Sequence, residues 1–582
     1  MESLRHRRLW WAALTLPLPL AALAVYVLFE WLFFVTKPSV LSALTWADRF
    51  VVLGETPVPF LPFVLAMQGV ATIAGAAAFR RLRGVAVVPA GLLAGCLGLL
   101  LVDNFTHVLF GVSSTNAGVR LRYVYAGLLL VLVAAACHWL FRLLDSGSPL
   151  RKAVVIVLIA APSFALFAIS EAKRPRVGNL FSSAPAAARN RNLPNVLILT
   201  NDSVESRYLS AYGFPRPTTP FLDSLRGETL FCENAFANAC RTYGSLVTVL
   251  TGKLPTRTHV LDPPSIVYGD ARYEHLPGIL RRHGYRTLQL STKLHGDAAT
   301  ANLVGAFDLA NYDWEMLRLQ RVDRATDTAR VFRLQVFDRL QDRLARIFAG
   351  EDKDTFAFVM GTRSPTFWSD ERRIRTLLRF MSETRQPWLA HVHLLDTHLG
   401  KDPALAVRGA DEWMRKVVEA LRKSGQLEHT IIVIGSDHGR WWQTRERVPL
   451  MFRFPNGQHA RREAQNAQTA DIAPTILDAL GLPVPGWMDG QSLLRPLPEN
   501  RRIVALCGAA GNEQASKLRE PNFGTASAMI VVGSWWYEMQ IADGTMRGGA
   551  VNGHTVPMPP APPAAARAEL EQKLRAAGFR LP

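Results

Sequence analysis

The stretch NVLILTNDS (195–203) decides the fold of the larger part of this 582-residue chain. Four consecutive apolar residues, Val196–Leu199, run directly into the polar Thr-Asn-Asp-Ser segment. A short apolar run without alternation is typical of a strand buried on both faces, as in parallel sheets. Similar runs occupy 287–292, 388–395 and 430–436. Helical stretches that end at Gly separate them, so the sequence predicts an α/β domain with a mainly parallel sheet and helices on both faces.

Acidic residues and histidines follow three of these runs. Asp202 comes after the first run, Asp396 and His398 come after the third, and Asp437 and His438 come after the fourth. The carboxyl ends of parallel strands meet at one edge of a sheet, and ligands bind outside that edge. Carboxylates and imidazoles gathered there suit a metal ion. The sequence therefore predicts a metal site at this edge.

A second stretch, CRTYGSLVTVLTG (240–252), carries three side chains that can act as nucleophiles, Cys240, Thr242 and Ser245. The spacing of its apolar residues predicts a short helix that begins near Thr242. A helix N-terminus offers free backbone N–H groups and a favourable dipole to an anion. A hydroxyl at that point, beside a metal ion, is suited to attack a phosphate or sulfate ester. The alternative is that Thr242 only caps the helix.

Long apolar stretches crowd the first 170 residues, and each is close to the length that crosses a hydrocarbon core of ~30 Å as a helix. The five stretches are Leu9–Val35, Val58–Phe79, Val85–Val102, Tyr123–Phe141 and Ala153–Ile169. Lys and Arg cluster before the first, between the second and third, and between the fourth and fifth, so these flanks are expected in the cytoplasm. We therefore expect a multi-pass protein of the bacterial inner (plasma) membrane whose following domain lies in the periplasm or otherwise outside the cytoplasm.

These patterns predict four segments along the chain. Residues 1–172 form a transmembrane domain with five helices, and residues 173–194 form a polar, Pro- and Ala-containing linker. Residues 195–500 form the α/β domain. Residues 501–582 complete that domain with a strand pair in AMIVVGSWWYEMQ (528–540) and a terminal helix.

The formal net charge of the chain is +18. No recognisable nucleic-acid-binding motif accompanies the charge, so we expect no nucleic-acid partner, and an anionic membrane surface or substrate fits better. The Arg-rich residues 314–385 have a helical period and predict peripheral helices, either facing lipid headgroups or simply exposed. Glu30 and Asp103 lie near the outer ends of their spans, and either pair with Arg120 or Arg122 or contact a lipid donor.

Three of the five cysteines, Cys232, Cys240 and Cys507, lie in the part of the chain expected outside the cytoplasm. Disulfides are permitted there. A bond between Cys232 and Cys240 is one candidate pairing, but spacing alone does not select it.

Residues 195–493 resemble the sulfatase-like branch of the alkaline phosphatase superfamily. The motifs that carry the resemblance occur in the family's order: NVLILTNDSVESRYLSAYGFPRPTTPFLDSL, ANACRTYGSLVTVLTGKLPT, HLLDTHLG, IGSDHGR, RVPLMFRFP and DIAPTILDALGLPVPGWMDGQSLL. The resemblance implies that Asp202, Asp437 and His438 bind one divalent metal ion together with Thr242, the nucleophile. Such nitrogen and oxygen ligands suit Zn²⁺ or Mn²⁺ better than Mg²⁺ or Ca²⁺. His398 matches the family position that contacts the substrate and protonates its leaving group.

The motif around the nucleophile departs from that of true sulfatases, which carry C/S-x-P-S-R with a Cys or Ser that is oxidised to formylglycine. The matching residues here, Thr-Tyr-Gly-Ser-Leu (242–246), lack the Pro and the Arg, and Thr cannot become formylglycine. The site instead resembles that of the membrane-bound phosphoethanolamine and phosphoglycerol transferases, including lipoteichoic acid synthases. This resemblance implies that a headgroup passes from a membrane phospholipid to Thr242 and then to an envelope glycan or lipid. Arg440, Arg445 and Arg447 are candidate contacts for the anion.

Two other functions remain open from the sequence. One is a hydrolase of sulfuric or phosphoric esters that uses the same site with water as the acceptor. A catalytically silent, lipid-binding membrane regulator with this fold is the other alternative. Retention of Asp202, Thr242, Asp437 and His438 argues against the regulator, because it has no need of all four.

Overall fold

The computed structural model describes residues 15, 17–36, 39–77, 83–114, 119–145, 193–263, 265–292, 295–311, 327–349, 369–399, 402–508, 522–551 and 562–581. The chain divides into two compact units. The first comprises Met1–Val177 and Ala325–Phe358, and the second comprises Gly178–Arg324 and Val359–Pro582. The predicted fifth span and nearly all of the predicted linker lie outside the described residues.

The helices are, in chain order, α1 (Leu18–Thr36), α2 (Val40–Ala43), α3 (Trp46–Glu55), α4 (Leu61–Ala77), α5 (Val88–Phe110), α6 (Val119–Asp145), α7 (Pro220–Leu225), α8 (Thr242–Thr251), α9 (Pro255–Thr258), α10 (Leu276–Arg282), α11 (Asp327–Ala349), α12 (Asp370–Glu383), α13 (Asp396–Leu399), α14 (Pro403–Lys423), α15 (Ile472–Ala479) and α16 (Pro563–Ala576). The strands are β1 (Asn195–Asn201), β2 (Leu230–Cys232), β3 (Ala235–Phe236), β4 (Arg286–Leu290), β5 (Leu309–Ala310), β6 (Trp388–Leu394), β7 (Thr430–Ser436), β8 (Leu450–Arg453), β9 (Arg461–Glu463), β10 (Ala467–Gln468), β11 (Ile503–Gly508), β12 (Thr525–Val532), β13 (Trp535–Gln540) and β14 (Met546–Ala550).

Four helical segments in the described part of the first unit are long and apolar enough to span a membrane. They are Leu18–Thr36, Trp46–Gly75, Gly84–Phe110 and Arg120–Leu144. Each overlaps one of the first four predicted stretches. The second segment begins earlier than predicted, because α3 precedes α4 with only a short turn between them.

Helix α11 belongs to the first unit, although in the sequence it lies between β5 and α12 of the second unit. Arg343 Nε lies 2.6 Å from Asp103 Oδ2, and Arg339 Nε lies 3.3 Å from Glu30 Oε2. Both carboxylates are buried. The expected pairing of these acids with Arg120 or Arg122 is therefore wrong, since their partners come from a distant part of the chain.

Apolar contacts accompany these ion pairs. Ile347 packs with Leu99, Tyr125 and Leu129 of α5 and α6. The ring of Phe332 lies edge-on to Phe34, with 5.5 Å between the centroids. The Arg-rich segment is thus not a single set of peripheral helices, because α11 packs in the first unit while α12 packs against the sheet of the second.

The second unit is built around an eight-stranded sheet with the strand order β5-β4-β6-β1-β7-β8-β2-β9. Strand β1 lies near the centre and pairs in parallel with both β6 and β7. Strand β8 runs antiparallel to β7 and to β2. Val196 and Ile198 face a core formed with α8, α10 and α15, whereas Leu197 and Leu199 face a core formed with α12 and α14. The predicted mainly parallel sheet, covered on both faces, is confirmed.

The C-terminal region contains more structure than the predicted strand pair. β11, β12, β13 and β14 form a four-stranded antiparallel sheet, in which β12 and β13 correspond to the predicted pair. Helix α16 packs on this sheet through Leu570 and Leu574. β11 also reaches the segment before α8, since Leu506 N donates to Asn238 O at 3.0 Å.

Candidate metal and nucleophile site

The predicted site residues meet beyond the carboxyl ends of β1, β6 and β7. The backbone fixes their positions, since Asp202 N donates to Leu394 O at 2.9 Å and Asp437 N donates to Asn201 O at 3.2 Å. The three strands are in parallel register, so the residues that follow them emerge side by side. The sheet-edge argument from the sequence therefore identified groups that are neighbours in space.

Asp202 is the centre of the cluster and is fully buried. Its Oδ1 accepts hydrogen bonds from Ser203 Oγ at 2.7 Å and from His398 Nδ1 at 2.8 Å. Its Oδ2 lies 3.5 Å from Thr242 Oγ1. Burial alone disfavours the carboxylate, but the His393 ring, whose Nε2 lies 3.6 Å from Asp202 Oδ2, the hydrogen bond from His398 and the charge of nearby imidazoles outweigh it, and the pKa of Asp202 lies well below its usual range. Asp202 is thus held as an anion.

His438 presents one ring nitrogen to the carboxylates. Its Nδ1–H donates to Gly439 O at 2.8 Å, which leaves the lone pair on Nε2. That Nε2 lies 3.4 Å from Asp437 Oδ2 and 3.8 Å from Asp202 Oδ1. Asp437 Oδ1 accepts from His438 N at 2.7 Å. Asp437 Oδ2 is buried and has no hydrogen-bond partner within the described residues.

Thr242 is the first residue of α8 and does not cap it. The N-cap residue is Arg241, which makes no side-chain capping bond. Ser245, another candidate nucleophile, is fully buried and donates its hydroxyl proton to Ala239 O at 3.0 Å. Cys240 is consumed by a disulfide bond to Cys507. Among the three candidates, the hydroxyl that faces the carboxylate cluster is that of Thr242.

That disulfide replaces the candidate pairing of Cys240 with Cys232. Cys232 is a free thiol, buried in β2. Cys240 lies instead against β11, because Ala239 and Leu506 form a parallel bridge. Sequence spacing could not reveal this, since the two bonded cysteines are 267 residues apart.

Hydrogen bonds to the Asp370 carboxylate hold the loop that carries His398. The Asp370 carboxylate accepts from Leu395 N at 2.9 Å, Asp396 N at 2.8 Å and Arg373 Nη1 at 2.7 Å. Burial tends to lower the pKa of His398, but its hydrogen bond to Asp202 and the charge of that carboxylate outweigh burial and raise it. His398 therefore favours the protonated form that a proton donor requires.

Two buried histidines of β6 extend the site and were not predicted. Ala298 N donates to Gln289 Oε1, which fixes the amide and turns Gln289 Nε2 toward His391 Nδ1 at 3.3 Å. Thr200 Oγ1 lies 3.2 Å from His391 Nε2 and 2.9 Å from His393 Nδ1. Burial lowers the pKa of His391 to about 3, so its ring is neutral. Gln289 then donates to His391 Nδ1, His391 Nε2–H donates to Thr200 Oγ1, and the Thr200 hydroxyl donates to His393 Nδ1. Because His393 Nδ1 accepts this hydrogen bond, the proton of the His393 ring lies on Nε2.

A third unpredicted histidine, His295, follows the end of β4. Its pKa is lowered by burial and by the positive charge of Arg241 nearby. The run TLQLST was identified as a strand, so the rule applied to β1, β6 and β7 could have found His295 as well.

The three predicted anion contacts differ in position. Arg447 is buried, and its Nη1 donates to Glu233 O at 2.9 Å, inside the fold. Arg445 Nε donates to Gln443 Oε1 at 2.8 Å. The charge of Arg440 acts on His398, tending to lower its pKa, so this guanidinium lies near the site. The structure thus brings Arg440 close to the cluster and turns Arg447 away from it.

The sulfatase family model matches residues 194–482, which span the eight-stranded sheet and the cluster at its edge. The α/β domain matches the sulfatase family over these residues. The chain is 22% identical over 355 residues to arylsulfatase K of Bos taurus, covering 52% of this chain and 65% of that protein, slightly less than two thirds of its length. It is also 22% identical over 459 residues to the N-acetylglucosamine-6-O-sulfatase of Bacteroides thetaiotaomicron, covering 63% of this chain and 79% of that one. Among solved structures, the phosphonate monoester hydrolase of Agrobacterium radiobacter is similar with a TM-score of 0.45 and 19% identity, covering 66% of this chain and 95% of that one.

A divalent cation fits the cluster of this sulfatase-family domain. Donor atoms of Asp202, His393 and Asp437 lie within 4.8 Å of one another, and all three residues are buried. Asp437 Oδ2 and His393 Nε2 have no hydrogen-bond partner among the described residues, and buried polar atoms of this kind call for a ligand. His438 Nε2 is a further atom that could bind the cation. Two ligand sets thus share Asp202 and Asp437 and differ in the histidine.

Proposed function

We propose that the sulfatase-family domain is a metal-dependent hydrolase of sulfuric or phosphoric monoesters with Thr242 as its nucleophile. The observation that carries the proposal is the position of the Thr242 hydroxyl, at a helix N-terminus and 3.5 Å from the buried Asp202 carboxylate. Relatives named as sulfatases support ester hydrolysis as the reaction class. The family resemblance and the geometry therefore agree on the type of chemistry.

Asp202, Asp437 and His438 would hold the cation together with Thr242, as the sequence suggests. The tautomers favour His438 over His393, because His438 Nε2 carries a lone pair whereas the donor series from Gln289 leaves a proton on His393 Nε2. We propose Zn²⁺ or Mn²⁺. Such an ion, when bound, stabilises negative charge and favours the alkoxide of Thr242.

The reaction is a double displacement. Thr242 Oγ1 releases its proton to solvent and attacks the sulfur or phosphorus atom, and the bond from that atom to the alcohol oxygen breaks. Backbone N–H groups at the start of α8 stabilise the non-bridging oxygens. His398 gives its proton to the departing alcohol and takes one back from the water that attacks the covalent ester. The anion is released, and Thr242 regains its proton.

The presence of a threonine as the nucleophile favours a second candidate function, group transfer. Thr242 cannot become the formylglycine of true sulfatases. The phosphoryl group of a phospho-threonine ester, by contrast, can be transferred to water or to another hydroxyl. The same site would then transfer phosphoethanolamine or phosphoglycerol from a membrane phospholipid to an envelope glycan or lipid. The apolar helices of the first unit support this candidate, because they would hold the protein at the bilayer that contains the donor.

Two observations support a location for the second unit. The distribution of Lys and Arg favours a position outside the cytoplasm, and the Cys240–Cys507 disulfide is of the kind that persists in oxidising compartments. We propose that the chain is a bacterial inner-membrane protein with its sulfatase-family domain on the periplasmic or outer side.

The test uses the full-length protein in detergent with Zn²⁺ or Mn²⁺ and with 4-nitrophenyl sulfate and 4-nitrophenyl phosphate as probes. Thr242→Ala should lower turnover by about 10⁴-fold or more, while Thr242→Ser should retain part of it. Thr256→Ala, on neighbouring α9, is the matched control and should keep full activity. Turnover by Thr242→Ala at the wild-type rate would exclude Thr242 as the nucleophile.

Intact mass spectrometry separates hydrolase from transferase. After incubation with vesicles of phosphatidylethanolamine or phosphatidylglycerol, a headgroup adduct on Thr242 would identify the transferase. Turnover of the nitrophenyl esters without a lipid adduct would identify the hydrolase. Neither turnover nor adduct, in a protein that binds no metal, would leave only the lipid-binding regulator.

A further inference from the structure

Two tryptophans directly after the metal-site residues combine backbone strain with exposure. Trp441 and Trp442 have φ angles of 54° and 56°, in the left-handed region that bulky residues rarely adopt. Their side chains are 73% and 45% exposed. Strain of this kind persists where the surroundings enforce it, and it clusters at functional sites. Strain and exposed indole surface both oppose folding, so a role in binding accounts for them better than packing.

The loop that presents these indoles is tied down on all sides. Gly439 N donates to Gln443 O at 3.0 Å and closes the loop at its base. Arg440 N donates to Glu205 Oε1 at 3.0 Å. The carbonyl oxygen of Trp442 lies 3.5 Å from the sulfur of Cys507, which is itself bonded to Cys240. The backbone that carries the two rings is therefore held in place.

This loop borders the nucleophile. The Arg241 guanidinium lies 5.7 Å from the ring centroid of Trp442, and Arg241 immediately precedes Thr242. Arg440 lies 5.7 Å from the ring centroid of Trp441. An ester whose anionic group reaches Thr242 would thus meet the arginines with its charge and the indoles with its alcohol portion.

We propose that Trp441 and Trp442 form a stacking platform for a pyranose ring, and that the substrate is a sulfated or phosphorylated saccharide. This inference rests on the proposed function of the site. The axial C–H groups of a pyranose make an apolar face that packs on a flat indole, while its hydroxyls remain in water. Binding at this distance from the reacting group orients the ester toward Thr242.

Insertion of the two indoles into a bilayer is the competing explanation of their exposure. Tryptophan at a membrane interface is tolerant of its orientation, because the interface is a broad mixed environment. A loop closed by Gly439, Glu205 and a disulfide-bonded cysteine, with strained backbone at both tryptophans, fixes the backbone position of both rings instead. A fixed position beside Arg241 and Thr242 matters for stacking on a ring whose ester is held at Thr242, so the geometry favours the saccharide.

The binding test uses the full-length Thr242→Ala protein in detergent, which would bind an ester without hydrolysing it. Glucosamine 6-sulfate and glucosamine 6-phosphate are titrated by calorimetry into this variant and into versions that also carry Trp441→Ala or Trp442→Ala. We expect either tryptophan change to raise the dissociation constant about tenfold or more for at least one sugar ester. Tyr268→Ala, which removes another exposed aromatic ring of the second unit, should change it less than about twofold.

The kinetic test uses chains with an intact Thr242. Trp442→Ala should lower kcat/KM for the sugar ester about tenfold and should lower it less for ethanolamine phosphate, which has no ring. Unchanged melting temperatures would show that the variants are folded.

The outcomes separate this inference from the proposed function. Equal affinities in all variants, or no binding of either sugar ester, would overturn the platform. Weaker quenching by brominated lipids in nanodiscs for Trp441→Phe and Trp442→Phe than for the wild type, whose spans also contain tryptophans, would overturn it in favour of bilayer contact. Tryptophan-dependent sugar binding by a protein that hydrolyses no ester would support the platform and refute the hydrolase.

Discussion

Cys240 and Cys507 form a disulfide that joins the segment before α8, the helix that begins at the candidate nucleophile Thr242, to the C-terminal sheet, across 267 residues of sequence. Cys240 stands two residues before Thr242, and Cys507 lies in β11. The backbone bond from Leu506 N to Asn238 O runs beside it. The C-terminal sheet therefore holds the entry to α8, and with it the position of the Thr242 hydroxyl.

Removing this disulfide should loosen that entry. We expect Cys507→Ser to lower the free energy of unfolding by about 2–4 kcal/mol, since the bond restrains a long loop in the unfolded chain. Turnover should fall as well, because the N-terminus of α8, where Thr242 lies, is no longer held by the disulfide. Thermal unfolding with and without reductant measures the first effect. Reductant should lower the melting temperature of the wild type and have no further effect on Cys507→Ser; equal sensitivity of both proteins would contradict the assignment.

Metal binding should depend on His438 and not on His393. Zn²⁺ or Mn²⁺ should raise the melting temperature of the wild type, since a ligand of the folded state stabilises it by about 2.7 kcal/mol at 100 times its Kd. Asp437→Asn and His438→Gln should lose this shift, whereas His393→Gln should keep it. Thermal scans with and without chelator provide the measurement. A shift lost in His393→Gln and kept in His438→Gln would reverse the ligand assignment.

The buried pair of Asp103 and Arg343 should contribute strongly to the stability of the first unit. Asp103→Asn is expected to destabilise it by about 3–5 kcal/mol, because the Arg343 charge is then buried without its partner. Unfolding in detergent measures the loss. Glu371→Gln, which breaks the exposed pair with Arg375, serves as the comparison and should change stability by about 1 kcal/mol or less. Similar effects of the two substitutions would show that the Asp103 pair is solvated.

Acid should destabilise the second unit partly through His275. Its Nδ1 accepts from Gly278 N at 2.9 Å, its Nε2 donates to Val304 O at 3.1 Å, and burial lowers its pKa to about 4. Neutral His275 contributes fully to the free energy of unfolding above the ordinary histidine pKa. This contribution is lost as the pH falls from about 6.5 toward 4, at about 1.4 kcal/mol per pH unit.

His275→Asn isolates this contribution, because an Asn carbonyl can still cap α10 and does not titrate in this range. The wild type should be more stable at pH 8, and the difference in melting temperature should narrow as the pH falls. His429→Asn, which replaces an exposed imidazole, measures the effect of the substitution itself. A difference that stays constant with pH would exclude His275 as an acid-sensitive group.

The sequence predicted the sheet and the residues at its edge because both depend on local signals. The runs that became β1, β6 and β7 are short, apolar and followed by Asp or His, and strand direction alone brings their ends together. His391 and His393 were missed because they lie within a strand, where the pattern indicates packing. His295 comes five residues after the end of β4, whereas Asp202 comes directly after β1, so the rule would have found His295 only if it had been extended to the longer loop.

The errors concern contacts between distant parts of the chain. The periodicity of α11 shows an amphipathic helix but not which surface covers its apolar side, so its position against α5 and α6 could not be read from it. The partners of Glu30 and Asp103 were sought nearby, whereas Arg339 and Arg343 lie more than 200 residues away in the sequence. The Cys240–Cys507 bond was missed for the same reason, since the sequence permits a bond between any two of the three cysteines that follow the predicted spans.

The placement of α11 has a consequence for limited proteolysis. The chain enters the second unit through the linker, leaves it to form α11, and enters it again before α12. A single cut in the linker would therefore not release a free catalytic fragment. The N-terminal piece would remain attached to α11 through the Asp103–Arg343 and Glu30–Arg339 pairs, and the two pieces would copurify until those pairs were broken.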